Sequence, residues 1–167
     1  MSKFPPFLRW IQGALLVSSS VMVTACAGIQ ATPGLEASSL SGDVALKKIT
    51  STNWKLVTVQ DGSGIPSARL KSGIAANHIR LKFDGNLLKF SGGCNRTFGN
   101  WSLPARDAIT MGNFAATKKV CVPSLMQTDQ EIIGYLQQMS RYDVNDKRLR
   151  LLSDAQVLTL VESSSAP

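Results

Sequence analysis

The strongest constraint on the fold is alternation of apolar and polar residues with period two. In "HIRLKFDGNLLKF", Ile79, Leu81 and Phe83 alternate with Arg80 and Lys82, the pattern of a strand with one face buried. Asp84-Gly85-Asn86 is turn chemistry. A two-residue loop, or a longer one compensated by a bulge, places Leu88 and Phe90 on the same face as Leu81 and Phe83. A three-residue loop without a bulge would put Lys89 there instead. Further strands are expected at 53–59, 98–103, 108–111 and 156–162. A second hairpin is expected around Asn145 to Lys147, with Leu149 and Leu151 inward and Arg148 and Arg150 outward. One segment, 123–140, has helical spacing instead. Leu125, Ile132, Leu136 and Met139 share a face at intervals of 7, 4 and 3. Met126 and Ile133 widen that face, and Ser124 with Gln127 suggests a capping box. Two readings of this face stand: core contact with the sheet, or a groove for a lipid or a partner helix. The sum is an α+β domain, about eight short strands in a strongly curved antiparallel sheet with one helix before the last three strands.

The N-terminal residues set the address. Lys3 and Arg9 precede the apolar run "WIQGALLVSSSVMV", which is short and serine-rich for a membrane span. Small residues follow, so 1–25 reads as a secretory signal peptide. Val23-Thr24-Ala25-Cys26 resembles the bacterial lipobox, which implies acylation of Cys26 as the new first residue. Two or three acyl chains hold a protein firmly at a membrane without spanning it. By similarity to enterobacterial sorting rules, Ala27 favours the outer membrane. Residues 26–51 then read as the lipidated cysteine and a flexible tether, 52–162 as the domain, and 163–167 as a disordered tail. Cleavage removes two of 18 basic residues and none of the 11 acids, lowering the formal charge from +7 to +5. That balance would favour anionic partners near an envelope surface. The basic residues are scattered, without the aromatic interleaving that points to nucleic acid.

Chemistry concentrates in "SGGCNRTFGNW", 91–101. Once Cys26 is lipidated, Cys94 and Cys121 are the remaining cysteines, and export brings both into an oxidising compartment. A disulfide between them closes a 27-residue separation, worth about 3.5 kcal/mol in the loop-closure estimate. The competing reading is a reactive thiol served by His78, the one histidine of the chain. There is no CxxC, and one histidine with two distant cysteines is a poor metal set. The glycines suit a turn with positive φ or close backbone approach. Asn95 suits the satisfaction of turn backbone groups. Arg96 is either a surface arginine or an anion contact.

These landmarks resemble the META domain, or HslJ, family of bacterial envelope proteins. They are Trp54 and Leu56 at the opening, the Gly93-Cys94-Asn95-Arg96 turn with Gly99, Thr117 ahead of Cys121 and Pro123, Glu131 on the helix, and two closing strands. The resemblance covers about 50–162. It implies a small α+β fold with a cracked, barrel-like sheet and one helix, no established catalytic residue and no cofactor. Two departures stand out: Cys121-Val122-Pro123 where Cys-Pro is more usual, and no glycine at Val144 to Lys147. The functional expectation is a non-enzymatic outer-membrane lipoprotein, facing the periplasm, that supports envelope integrity or stress tolerance by binding an unidentified envelope protein or lipid. The alternative is a pilotin-like or lipid- or peptide-binding carrier that uses the sheet–helix groove.

Overall fold

A computed structural model describes residues 42–67 and 69–167. The signal peptide, the Cys26 anchor and most of the expected tether lie outside the described residues.

The elements in chain order are α1 (Gly42–Ser51), β1 (Asn53–Asp61), β2 (Pro66–Ser67), β3 (Arg80–Asp84), β4 (Leu87–Ser91), β5 (Thr97–Ala105), β6 (Ala108–Ala116), α2 (Pro123–Gln138), β7 (Arg141–Val144), β8 (Arg148–Leu152) and β9 (Gln156–Ser163). All strand pairings are antiparallel. β1 is the hub, flanked by β2 and β3 on one side and by β9 on the other. The remaining strands run from β3 to β9 in sequence order, so the nine-stranded sheet closes as a ring. Its thinnest joint is β6 to β7, where one register pair, Ala108 with Arg141, holds the strands together. The amides of Ile109 and Tyr142 reinforce that joint, donating to Ser140 O at 3.0 Å and Asp107 O at 2.8 Å.

The β3–β4 hairpin has the two-residue loop Gly85-Asn86, with Asp84 opposite Leu87. Gly85 supplies the positive φ of 54°. Leu81 then faces Phe90 and Phe83 faces Leu88, all four buried. The interior is filled by these four, by Trp54, Leu56, Trp101, Ile109, Leu149, Leu151, Leu158 and Leu160, and by Ile132 and Leu136 of α2. Phe83 and Trp101 meet edge to face at 4.7 Å.

Four expectations need revision. Residues 42–51, expected at the end of a tether, form α1. Ala45 and Ile49 lie on one helical face four residues apart and are fully buried. The Trp54 indole donates to Ile49 O at 3.0 Å, and Lys82 Nζ caps the helix end at Thr50 O, 2.7 Å away. A ten-residue helix with only two buried positions is too short a pattern to show a period. Second, no capping box forms at α2. Val122 is the N-cap without a side-chain bond, and Pro123 starts the helix with its fixed φ. Ser124 is thus inside the first turn, and its carbonyl accepts Thr128 Oγ1 at 2.9 Å. Third, β6 runs to Ala116, five residues beyond its apolar pattern, because it pairs with the full length of β5. Fourth, β9 extends to Ser163 and Pro167 is half-buried.

Among the described residues, no helix is long and apolar enough to cross a membrane.

Candidate functional site: the glycine–cysteine loop

The loop between β4 and β5 is built by close approach on three sides. Gly92 has φ 123°. A Cβ there would overlap His78 O and lie 2.8 Å from Ile79 Cα, so only glycine lets the loop lie against the end of the 3₁₀ turn that precedes β3. A Cβ on Gly93 would overlap Asp129 Oδ1 and stand 3.0 Å from Leu125 O. Gly93 therefore lets the loop rest on the first turns of α2. The Cys94 amide donates to the same Leu125 carbonyl at 3.3 Å. Cys94 is bonded to Cys121 as a disulfide, with Cα atoms 5.8 Å apart. It ties the loop to the segment that enters α2.

Asn95 is the centre of a polar relay. Its amide and its Nδ2 both donate to Asp129 Oδ2, each at 2.9 Å. Its Oδ1 accepts Thr117 Oγ1 at 3.0 Å and the Lys119 amide at 2.9 Å. Thr117 Oγ1 also accepts the Arg96 amide at 3.2 Å. One side chain thus joins the loop, the strand end after β6 and the helix. Asp129 is 4% exposed, and its Oδ1 has no hydrogen-bond partner. From the sequence, Asp129 reads as an acid near the positive start of the helix, without its link to the loop. The available signal was its position between Leu125 and Ile132 at spacings of 4 and 3, a charge on an otherwise apolar face.

Cys94 carries no free thiol, so a Cys94–His78 nucleophile pair is not available. His78 is exposed at the end of a short 3₁₀ turn. Ile132, Leu136 and Met139 are 0%, 0% and 3% exposed. These three are core side chains against the sheet, and Leu125 is half-buried beside the disulfide loop; the face does not open as a groove. Burial pushes the Tyr135 hydroxyl pKa up, with the Glu131 charge adding to it. Arg96 is exposed, and its guanidinium forms no ion pair among the described residues. Among those residues no group of three or more His, Cys, Asp or Glu stands together to hold a metal ion.

A ring-shaped antiparallel sheet with two helices, stapled by one disulfide at a Gly-Gly-Cys-Asn turn, defines a small α+β domain. Residues 47–165 match the META domain, and the chain belongs to that family. No curated protein sequence matches it. Among solved structures, the NMR structure of a protein from Burkholderia xenovorans is similar. It is 21% identical, with a TM-score of 0.58 over 80% of this chain and 98% of its own. The crystal structure of a DUF4847 family protein from Bacteroides vulgatus is 13% identical, with a TM-score of 0.55 over 70% of this chain and 96% of its own. Both likenesses are of fold.

Proposed function

We propose that this protein is a lipid-anchored outer-membrane protein, facing the periplasm, whose META domain is a non-enzymatic binding module for an envelope component and supports envelope integrity. The observation that carries the reading is the Val23-Thr24-Ala25-Cys26 run ahead of a domain with a Cys94–Cys121 disulfide. A disulfide suits an exported protein, and acyl chains on Cys26 would hold it at a membrane. The polar groups of the glycine–cysteine loop are taken up by Asp129, Thr117 and Lys119 of the neighbouring segments, which supports a structural role for that loop. A carrier that uses the sheet–helix face is disfavoured by the burial of Ile132, Leu136 and Met139.

The test is palmitate labelling and envelope fractionation of the full chain and of its Cys26→Ser variant, with an envelope-stress assay of a deletion strain complemented by each. Labelled protein in the outer-membrane fraction, with loss of label and of complementation in Cys26→Ser, supports the reading. An unlabelled wild-type protein released as a soluble periplasmic species refutes the anchor. Full complementation by Cys26→Ser separates the envelope role from anchoring.

A further inference from the structure

A cavity of about 360 Å³ opens at the outer surface of β4 and β5, at the small end of the roughly 300–1,000 Å³ range of ligand sites. Its apolar wall is Leu87, Phe98 and Pro167; Lys89, Arg96 and Thr117 line it as well. Phe98 is 45% exposed although it sits on a strand. Directly opposite it across the β4–β5 pair is Lys89, and Arg96 is two residues before it.

The charged side chains that line the cavity are both cationic. Asp84 binds Lys89 at 2.8 Å and is the one acidic group that any cation of this wall meets. Arg96 forms no ion pair among the described residues. Beyond Thr117 the chain continues as Lys118-Lys119-Val120, and 113–128 contains no acid. Val120 is 96% exposed and Val122 59%. An exposed aromatic, an apolar recess and the unpaired Arg96 match a molecule with a hydrocarbon part and an anionic head.

We propose that this cavity binds an amphipathic anion, a carboxylate or phosphate carried on a short hydrocarbon segment. The head lies against Arg96, with Lys89 beside it, and the hydrocarbon against Phe98 and Leu87. The inference rests on the binding half of the proposed function and not on the anchor: absence of acylation at Cys26 would defeat the anchor and leave this site untouched. The ligand chemistry has two sources, a free fatty acid or an anionic phospholipid.

The experiment is photocrosslinking of the purified full chain in phosphatidylcholine vesicles, followed by peptide mapping. The probes are a diazirine fatty acid, a diazirine phosphatidylglycerol and a diazirine fatty alcohol of equal chain length. The expected result is label within 87–98 from at least one anionic probe and little from the alcohol. Labelling should fall about fivefold or more in Arg96→Gln, the worth of one charge-assisted contact at a half-open site, and also in Phe98→Ala. Label from the free acid alone identifies a soluble amphiphile, and label from the phospholipid identifies a bilayer source. Equal labelling by the alcohol, label confined to other segments, or unchanged labelling in a folded Arg96→Gln protein overturns the proposal.

Discussion

The tightest packing in the loop makes a quantitative test. Alanine at Gly93 places a methyl where Asp129 Oδ1 sits. The carboxylate is the end of a side chain and can rotate, but rotation breaks its two 2.9 Å bonds with Asn95. Each hydrogen bond to a charged group contributes about 1.5–3 kcal/mol. Part of that is offset in Asp129→Ala, which also relieves the burial of the unpartnered Oδ1. Asp129→Ala should therefore cost about 3 kcal/mol. Gly93→Ala should cost about as much or more, because the displaced carboxylate stays buried without its donors. In the Asp129→Ala background the remaining obstacle to a Cβ is Leu125 O at 3.0 Å, an overpacking cost of about 1 kcal/mol. The double variant should then be more stable than the sum of the singles by about 2 kcal/mol. Urea unfolding of the four oxidised proteins measures this, with a melting shift of about 4 °C per kcal/mol as a second readout. Additivity within about 0.5 kcal/mol, or a neutral Gly93→Ala, would refute the interlock between loop and helix.

Other consequences follow from the same contacts. Ile49→Ala should destabilise by about 3 kcal/mol, and a chain beginning at Asn53 should unfold at lower denaturant than one beginning at Gly42; equal midpoints would remove α1 from the folded unit. Replacing both Cys94 and Cys121 by serine should lower stability by up to about 3.5 kcal/mol without changing the far-ultraviolet spectrum of the folded state. The Asp84 carboxyl is held below its ordinary pKa of 3.8 by the Lys89 hydrogen bond and charge, with a smaller contribution from Lys82. Carboxyl NMR titration should find it rising in Lys89→Ala. Because the folded pKa is depressed, the pair's contribution is present above the ordinary carboxylate pKa and is lost as pH falls through the depressed value; a wild-type advantage over Lys89→Ala that persists below that value would contradict the assignment.

Most of the sheet was legible because alternation encodes its buried face directly. Leu81, Phe83, Leu88 and Phe90, and Leu149 and Leu151, are all inward as their period requires. The inward positions of α2 were legible at Ile132, Leu136 and Met139 for the same reason. What was hidden depended on partners far along the chain. α1 has two buried residues and takes its place from the Trp54 indole and the Lys82 ammonium. β2 is two residues long and is defined only by its pairing with β1. The Asn95 relay joins residues separated by up to 34 positions, which no local pattern displays. In the glycine–cysteine loop the disulfide followed from cysteine arithmetic, whereas the reason for Gly93 became visible only with Asp129 in place.

The most direct test of the central claim is the intact mass of the protein extracted from the envelope of cells producing the full chain, after alkylation with and without reductant. The account requires an N-terminus at Cys26 carrying acyl mass, no alkylation at Cys94 or Cys121 before reduction, and two alkylations after it. Alkylation of either cysteine without reductant would reopen a thiol chemistry for the Gly-Gly-Cys-Asn turn. An N-terminus elsewhere, or a Cys26 without acyl mass, would contradict the lipid anchor.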